Sequence, residues 1–545
     1  MSVAVNNGNT GLAVNFYGNT GLAVKIYGNF SVAVNFYGNS GLAVDFYGNL
    51  RIAVKFYGKS IPAAKKDGCE LRRAPSSSAG DMLAFQTSFR EHTADIPATQ
   101  NGTHFTASAE KLRKLVRDGP LHLADLKQAP EHFFEAHKIL SEYATQVGPG
   151  FGIRFTVQYN LFAGTILGLG NEKQVAALSD MQAQGQLGCF CLTERLAGVN
   201  SGLVVDTTCT WDEGKQQYLL HCPSEGAYKN WISQGLTADL AVVVANLIVK
   251  GKRHGPHAWV MQLRRDGKLV EGVTADDMGD KTIGNDLDNA RISFNKVWLP
   301  KDSLLDKYTG VENNDYVQRV PGINNMDMIG QRLYTGRTVI AASTLVFART
   351  LFKSSKHYSD NKRCWDPKGS IALSDIPQLS LLYSSADKEF SKIEALSDLV
   401  EHGLAECLKN DIIPSNKLVE QVAVLKVKAI ETTIKLCFKL KQELGSYALM
   451  SGTGFEKMDY LQCCKFAEGD SRILMQKISR DRLSAFSKKP VGTAKEAEVC
   501  TELGTKLMTG GKTAWNTNWK LVYGLAEVVM DRVMEEAIAG NQSKL

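Results

Sequence analysis

The sequence predicts an α+β multidomain protein in which a decapeptide-repeat β or low-complexity segment precedes three domains. These are an N-terminal helical domain, a central antiparallel β-barrel or sandwich and a C-terminal helix bundle. Three patterns predict this order: a ten-residue repeat at the start, short β-type runs in the middle, and helical periodicity on both sides of those runs. The predicted boundaries are 1–58 for the repeat, 59–80 for a linker, 81–185 for the first helical domain, 186–310 for the β domain, 311–486 for the bundle and 487–545 for a short helical tail.

Composition limits the class of protein. A chain of 545 residues is too long for one simple core, so several domains are expected. The net charge of +6 is small for this length and the basic residues form no single run, which argues against a nucleic-acid binder. The most apolar stretch, residues 238–249, is too short to span a membrane. The eleven cysteines show no C-x-x-C pair or His/Cys cluster, so no metal site is predicted and free thiols are expected.

The repeat has a simple unit. Each unit opens with Gly-Asn, as at Gly8-Asn9 and Gly18-Asn19, and continues as apolar-Ala-Val-polar-aromatic-Tyr. One interpretation is a meander of six-residue strands joined by four-residue loops. The other is a low-complexity tail with some tendency to β-aggregation. The repeat has no catalytic side chains, and no chemistry is assigned to it.

The remaining elements follow from spacing. The linker contains Pro62 and the run Pro75-Ser76-Ser77-Ser78. Apolar residues recur at helical spacing, and β-type runs alternate with Gly, Asp and Lys clusters. The predicted helices are 108–146, 157–169, 344–358, 376–408, 417–444, 469–486 and 519–537. The predicted strands are 188–193, 203–210, 218–221, 240–249, 258–263 and 290–299.

Three short motifs carry a family resemblance. Phe466-Ala467-Glu468-Gly469-Asp470 resembles the segment in which acyl-CoA oxidases and dehydrogenases carry their catalytic glutamate. Cys189-Phe190-Cys191-Leu192-Thr193-Glu194 resembles the L-T-E segment with which these flavoenzymes hold FAD. Ser543-Lys544-Leu545 resembles a peroxisomal import signal. Together the motifs are similar to those of peroxisomal acyl-CoA oxidases, and the predicted order of domains is that of the same superfamily.

The resemblance implies a set of FAD-binding residues in the β domain. Thr193 takes the position of a threonine that hydrogen-bonds the pyrimidine side of the flavin, and Gly198 permits close backbone approach. Lys229-Asn230-Trp231-Ile232-Ser233 is similar to the dehydrogenase segment K-x-W-I-[ST]. In that alignment Trp231 packs against the isoalloxazine ring and Ser233 hydrogen-bonds near its N5 edge.

The helical bundle supplies the remaining implied residues. Arg337 matches an arginine that contacts the CoA thioester region. In the segment that follows Tyr358, Lys362 takes the position of an arginine that binds the FAD pyrophosphate of a neighbouring subunit, and Arg363 shares that role. Gly452 lies in a turn similar to the family's G-G-x-G-[FY], and Gly452 and Asp470 complete the cofactor-binding set.

Glu468 is the predicted catalytic base. Dehydrogenation of an acyl thioester between Cα and Cβ needs a base for the weakly acidic α-proton, and a carboxylate in an apolar slot has its pKa raised toward the working range. Gly469 lets the backbone turn so that the Glu468 N–H points at the thioester oxygen, and Gly469 is therefore placed with Arg337 among the substrate-binding residues.

The predicted function is FAD-dependent oxidation of fatty acyl-CoA to trans-2-enoyl-CoA, with electrons passed to O2 to give hydrogen peroxide in the first step of peroxisomal β-oxidation. A dehydrogenase with a protein electron acceptor, favoured by Trp231, and a non-catalytic scaffold that keeps the fold are the alternatives. The implied partners are fatty acyl-CoA, O2, a second copy in a homodimer with FAD near the interface, and the import receptor for Ser543-Lys544-Leu545. The expected location is the peroxisome, with neither nucleic acid nor a membrane span.

Overall fold

The computed structural model describes residues 79–96, 105–198, 201, 203–323, 325–367 and 369–542, and the backbone of six strands within residues 2–57. The chain divides into two units, residues 1–73 and residues 74–545. Most of the predicted linker and the C-terminal tripeptide 543–545 lie outside the described residues.

The repeat contains six strands, and their pairing differs from the predicted meander. A meander pairs consecutive strands in antiparallel fashion, whereas here alternate strands pair in parallel: β2 with β4, β4 with β6, and β3 with β5. The intervening strand serves as the crossover, because parallel neighbours cannot be joined by a tight turn. The meander prediction is therefore wrong beyond the antiparallel pair β1–β2. The strands are β1 (Ser2–Ala4), β2 (Gly11–Tyr17), β3 (Leu22–Tyr27), β4 (Ser31–Tyr37), β5 (Leu42–Tyr47) and β6 (Arg51–Tyr57).

The second unit begins with helices. Pro130 begins α4, where a missing backbone N–H is harmless, and Asn171 caps α7 in a capping box with Gln174. The segment Val157–Ala163 is π-helical and joins α5 to α6 without a break in the helical backbone. The helices are α1 (Ala79–Thr93), α2 (Phe105–Asp118), α3 (Asp125–Gln128), α4 (Pro130–Val147), α5 (Gly150–Thr156), α6 (Gly164–Leu169) and α7 (Glu172–Ala183).

The central strands are β7 (Gly188–Cys191), β8 (Thr208–Asp212), β9 (Gln217–His221), β10 (Lys229–Ser233), β11 (Leu240–Val249), β12 (Lys252–Gln262), β13 (Arg264–Arg265), β14 (Lys268–Leu269), β15 (Val273–Asp277), β16 (Asn289–Phe294), β17 (Val297–Pro300), β18 (Thr309–Glu312) and β19 (Asp315–Gln318). A six-stranded sheet has the order β12-β11-β8-β9-β17 with β7 also on β11, and a three-stranded sheet has the order β10-β16-β15.

The predicted all-antiparallel β domain is wrong at one strand. β11 pairs in parallel with β7 and with β8, while the other pairings of these two sheets are antiparallel. β11 is buried along nearly its whole length and reads as an apolar run without alternation, which is typical of a strand with parallel neighbours. The sheet is therefore mixed.

Long helices return after the β strands. α8, α9 and α10 pack against one another, α4 packs on α8, and α15 packs on α12, α13 and α9. Among the described helices, none combines the length and apolar character that a membrane crossing requires. The elements are α8 (Asn325–Asn361), β20 (Arg363–Asp366), β21 (Gly369–Ala372), α9 (Pro377–Lys409), α10 (Asn416–Leu444), α11 (Asp459–Phe466), α12 (Ser471–Lys488), α13 (Ala494–Thr509), α14 (Ala514–Thr517) and α15 (Trp519–Gln542).

Two apolar cores hold the second unit together. One runs through the helices and reaches one face of the central sheet, and the other lies between the β sheets. The predicted mixed α+β class is confirmed. The ten cysteines within the described residues are free thiols.

Candidate active site

The loop between α11 and α12 carries Glu468 and turns sharply. Glu468 and Gly469 both have left-handed backbone conformations, with φ of +57° and +96°. Glycine adopts this conformation freely, but for a glutamate it costs about 1–3 kcal/mol, and such strain is concentrated at functional sites. An added Cβ at Gly469 would lie 3.1 Å from Nη2 of Arg337, so the position has little room for a side chain.

The Glu468 carboxylate occupies a tight, dry position. The residue as a whole is half-buried, but Oε2 has no solvent contact and no hydrogen-bond partner. A Cβ on Gly336 would lie 2.4 Å from the carboxyl carbon, so glycine on α8 makes room for this side chain. Burial raises the pKa of Glu468 to about 7, although Arg337 and Lys426 act in the opposite direction. A carboxyl group with this pKa is well suited to act as a base near neutral pH.

Two buried cations lie behind the loop. The Arg337 Nε donates to the carbonyl oxygen of Glu468 at 2.9 Å. The Lys426 Nζ donates to the carbonyl oxygens of Lys465 at 3.1 Å and Ala467 at 2.8 Å, and also to that of Gly469. Lys426 was not predicted from the sequence. The predicted contact of Arg337 with a thioester stays a prediction, because here its Nε holds the loop backbone.

A narrow slot of about 50 Å³ leads away from the Glu468 carboxylate. Most of its wall is apolar, and besides Glu468 and two cysteine thiols five of its lining side chains carry polar atoms. One of them is His137, whose Nε2 forms a hydrogen bond of 2.8 Å with Thr156 Oγ1 and whose Nδ1 lies 2.9 Å from the Phe133 carbonyl oxygen. Burial lowers the pKa of His137 to about 4. Apart from Glu468, the slot therefore presents neutral groups near neutral pH. The apolar lining includes Leu140, Ala144, Ile153, Val157, Ile340 and Ala467. The polar lining comprises His137, Ser141, Thr156, Ser343, Tyr460 and Glu468, together with the thiols of Cys463 and Cys464.

Thr193, Trp231 and Ser233 come together at one edge of the β domain, which we call the Thr193–Trp231 corner. The Asn230 N–H donates to the Thr193 carbonyl at 2.9 Å, and Glu194 bridges to Lys229 in the same pairing. Trp231 interrupts β10 with a φ of +58° and is 56% exposed, which is unusual for a tryptophan in a strand. Ser233 Oγ accepts from Asn289 Nδ2 at 3.1 Å.

A buried ion pair holds the corner from behind. The Lys229 ammonium lies 2.8 Å from Glu194 Oε1, and both side chains are fully buried. The Glu194 carboxylate also accepts from the backbone N–H groups of Asp206 at 2.7 Å and Thr207 at 3.0 Å. Lys229 donates in addition to the Val244 carbonyl at 2.7 Å. Sequence reasoning assigned no role to this pair, because no spacing pattern links Glu194 with Lys229 in the sequence.

The first helical domain is tied to the same corner by Arg154. This fully buried side chain of α5 forms an ion pair with Asp288 at 2.8 Å and donates to Thr237 Oγ1 at 2.9 Å. Asp288 in turn accepts from the Leu236 N–H, three residues after Ser233. The connection fixes the end of β10 relative to the helices that form the slot.

The other predicted cofactor residues lie apart from Glu468 or serve local structure. Gly198 is exposed, and its N–H donates to Ser201 Oγ at 2.9 Å. The Gly452 N–H donates to Glu456 Oε1 at 2.9 Å. Asp470 lies two residues after Glu468 and caps α12 by accepting from the Arg472 N–H at 2.7 Å. These contacts leave the predicted roles untested.

Lys362 and Arg363 lie at the far end of α8 from Arg337. Both are exposed, and Arg363 Nε donates to Ser370 Oγ at 3.1 Å across the β20–β21 hairpin. α8 is continuous from Arg337 to Asn361, which separates the two ends by about 36 Å at 1.5 Å per residue. Within one chain these two cations and Glu468 therefore belong to different regions of the surface.

The chain is similar to curated acyl-CoA oxidases over about two thirds of its length. It is 26% identical over 378 residues to the acyl-coenzyme A oxidase-like protein of Mus musculus, covering 67% of this chain and 59% of that protein. It is 28% identical over 419 residues to the acyl-coenzyme A oxidase of Komagataella pastoris, covering 71% of this chain and 58% of that protein. The chain thus spans under two thirds of the length of these relatives. No protein-family model matches the chain.

Solved structures show the same fold. Acyl-CoA oxidase-2 of Caenorhabditis elegans aligns with a TM-score of 0.71 at 18% identity, covering 85% of this chain and 77% of that chain. Acyl-CoA oxidase1 of Yarrowia lipolytica aligns with a TM-score of 0.67 at 19% identity, covering 85% of this chain and 78% of that chain. The chain is therefore similar in sequence to acyl-CoA oxidases and has the fold of the acyl-CoA oxidase and dehydrogenase superfamily. The predicted family resemblance is confirmed.

The residues at the corner suit the flavin that members of this superfamily carry. Trp231, on β10, and Thr193, two residues after the end of β7, are both exposed, and the backbone bond from Asn230 to Thr193 holds the two segments together. The neighbouring Asn230 has its Oδ1 buried and without a hydrogen-bond partner among the described residues. An exposed aromatic face next to a hydroxyl group and an unpaired acceptor fits a planar ring with polar edges. On this observation the superfamily's cofactor and the side chains of this chain are compatible.

Proposed function

We propose that this chain is an FAD-dependent oxidoreductase that converts fatty acyl-CoA to trans-2-enoyl-CoA and passes the electrons to O2, yielding hydrogen peroxide. The observation that carries the proposal is the Glu468 carboxylate, a buried group with a pKa of about 7 at the mouth of an apolar slot. The superfamily and the named acyl-CoA oxidases among its relatives support the same reaction.

Glu468 removes the α-proton in the proposed reaction. Its ionised carboxylate has no hydrogen-bond partner on Oε2, so that oxygen is available to accept a proton from Cα of an acyl thioester. Bound FAD would supply the acceptor for the β-hydrogen, which leaves as hydride, and the reduced cofactor would supply the two electrons for O2. Because Oε2 has no solvent contact, the carboxylate would react with the substrate proton in a medium of low dielectric constant.

Four residues of the β domain are proposed to bind the flavin. Trp231 would pack on the ring, Thr193 and Ser233 would donate hydrogen bonds to it, and Gly198 would allow the backbone to approach. The crystal structure of the Caenorhabditis elegans protein mentioned above contains FAD, which supports the cofactor by analogy. Gly452 and Asp470 remain proposed members of the cofactor set through the loops on which they lie.

A second copy of the chain is proposed to complete the cofactor site. Lys362 and Arg363 are exposed cations about 36 Å along α8 from Arg337, which is too far to contact the same flavin region within one chain. Supplied by a second subunit, they would neutralise the FAD pyrophosphate. The proposal thus requires a homodimer with FAD near the interface.

The proposed location is the peroxisome. The tripeptide Ser543-Lys544-Leu545 has the composition of an import signal, and one relative is named as the peroxisomal acyl-coenzyme A oxidase 2 of Arabidopsis thaliana. Removal of Leu545 should leave the protein in the cytosol, as judged by co-localisation with a peroxisomal marker. A truncated chain that still co-localises would contradict the import signal.

The experiment that tests the activity is optical. Purified full-length protein should show the visible absorbance of oxidised flavin, which acyl-CoA should bleach without O2 and which air should restore with one hydrogen peroxide per enoyl-CoA. Colourless protein that does not take up added FAD would indicate a scaffold. Bleaching that air reverses only slowly, and a protein acceptor reverses quickly, would indicate a dehydrogenase instead of an oxidase. Acyl-CoAs of graded length would then establish the chain-length preference.

A further inference from the structure

We propose that Lys426 is a positioning residue for the reaction, because its ammonium group holds the loop on which Glu468 stands. This inference rests on the proposed function for its catalytic consequence, whereas the mechanical part, that Lys426 holds the loop, does not. Lys426 belongs to α10, whereas the loop connects α11 to α12, so the contact is made between elements distant in the sequence.

Each of the three N–H groups of the Lys426 ammonium has a carbonyl acceptor. Its hydrogen bonds reach the carbonyl oxygens of Lys465, Ala467 and Gly469, which matches the three N–H donors of a lysine. Arg337 from α8 takes the carbonyl oxygen of Glu468 itself. Two cations from two helices therefore bind four of the five carbonyl groups between residues 465 and 469.

Lys426 lies where a charge is costly without such partners. The side chain is fully buried, and neighbouring residues of α10 such as Leu425 and Val427 belong to the apolar core. Among the described residues Lys426 has no salt bridge to a carboxylate within 4.0 Å. A buried ammonium group without an ion-pair partner is retained only where its hydrogen bonds compensate for desolvation. Here those hydrogen bonds go to the loop that carries Glu468 and to the last turn of α11, which leads into that loop.

Removing the ammonium group has a definite consequence. The inward-facing carbonyl groups would lose their donors, and unpaired buried carbonyl groups are unfavourable, so the loop would rearrange toward water. The left-handed backbone of Glu468 persists only while its surroundings enforce it. A rearranged loop moves the carboxylate out of the slot, and a displacement of about 1 Å is enough to slow a reaction about 10²-fold.

The groups that face Lys426 make its contact with the loop dependent on pH. They are Arg337 on α8, Cys463 and Cys464 on α11, and Glu468 and Asp470 on the loop. Burial and then Arg337 lower the pKa of Lys426 to about 7, although Cys464 and the two carboxylates act in the opposite direction. The ammonium form, with three donors, therefore exists at lower pH and is lost as the pH rises above neutrality. Arginine at this position would stay charged throughout that range.

The test compares Lys426→Met and Lys426→Arg with the parent holoenzyme. Lys428→Met is the matched control, since Lys428 lies on the same helix and forms a surface pair with Asp531 at 2.7 Å. Hydrogen–deuterium exchange of peptides covering residues 459–474 reports on the loop without reference to catalysis. Flavin bleaching by acyl-CoA in the absence of O2, measured across pH, reports on the position of Glu468.

Lys426→Met should raise exchange in residues 459–474 and slow bleaching about 10²-fold with the flavin content retained, whereas Lys428→Met should change neither. Lys426→Arg should restore part of the rate and shift the loss of rate at alkaline pH upward. Parent-like exchange and bleaching in Lys426→Met would overturn the inference.

If Lys426→Met does not fold, the alkaline limb of Lys426→Arg decides, and an unshifted limb overturns the inference. If the parent protein does not bleach with acyl-CoA, the proposed function fails, while the exchange data still decide whether Lys426 holds the loop.

Discussion

The loop that carries Glu468 and the corner that carries Thr193 are both held by buried charges, but the charges have opposite sign. At the Thr193–Trp231 corner the Glu194 carboxylate binds backbone N–H groups and is neutralised by Lys229 at 2.8 Å. At the Glu468 loop, Arg337 and Lys426 bind backbone carbonyl groups, and the nearby carboxylates belong to the loop itself.

The difference separates a binding surface from a reacting group. A neutralised pair makes the corner rigid and leaves its exposed side chains, Thr193 and Trp231, uncharged and ready to contact a ring. In the loop, the Glu468 carboxylate neutralises part of the charge of Arg337 and Lys426. The base therefore interacts electrostatically with the two residues that hold its backbone. Breaking the support at the corner should cost stability and cofactor, whereas changes at the loop should cost rate.

The largest expected effect on rate comes from Glu468→Gln. The amide is nearly isosteric and keeps the backbone contact to Arg337, but it cannot accept the α-proton. Flavin bleaching by acyl-CoA should fall by about 10²–10⁴-fold, with FAD content and acyl-CoA binding nearly unchanged. Stopped-flow absorbance measures the rate, and an unchanged rate would remove Glu468 from the reaction.

The corner is tested by Glu194→Gln, which leaves the buried Lys229 ammonium without its partner. The free energy of unfolding should fall by about 3–5 kcal/mol, and the purified protein should hold less flavin. Glu225→Gln is the control: it breaks an exposed pair with Arg195 at 2.7 Å and should cost less than about 1 kcal/mol. Denaturant titration measures both. Equal losses in the two variants would mean that the buried pair does not support the corner.

Gly336→Ala tests the position of the Glu468 carboxylate in the loop. The new methyl group would lie 2.4 Å from the Glu468 carboxyl carbon and would displace the carboxylate. Bleaching should slow by about 10–10²-fold. Gly330→Ala is the control on the same helix, since its nearest neighbour would lie 3.8 Å away. Parent-like kinetics in Gly336→Ala would show that the carboxylate does not lie against Gly336 when the protein reacts.

The smallest expected effect concerns pH. The raised pKa of about 7 means that Glu468 is protonated and inactive below that pH and ionised above it. Bleaching should therefore fall about tenfold for each pH unit below the pKa, and the corner, whose charges are paired, should keep its flavin over the same range. A rate that stays constant down to pH 5 would contradict the raised pKa of the base.

Strong periodicity made several elements predictable. The predicted helices 376–408 and 417–444 lie within one residue of α9 and α10, and the predicted strand 240–249 coincides with β11. Weakly amphipathic helices were missed, including α1 and α7. β10 was missed because left-handed Trp231 and buried Lys229 break the alternation of apolar and polar residues that identifies a strand.

The candidate site was predictable only where a motif names it. Glu468, Thr193 and Trp231 come from short motifs, and their catalytic and cofactor-binding roles stay predictions. The residues that support them, Lys426 and Glu194, act through the backbone of distant segments. Such contacts depend on the fold and leave no spacing signal in one sequence, so they could not be predicted.

The most direct test of the central claim follows the α-proton itself. Holoenzyme and its Glu468→Gln variant are each incubated with acyl-CoA in D2O without O2, and the remaining acyl-CoA is analysed by mass spectrometry and NMR. If Glu468 transfers the proton reversibly, the parent should introduce deuterium at Cα and the variant should introduce almost none. Equal incorporation in both proteins would show that another group removes the proton and would contradict the assignment of Glu468.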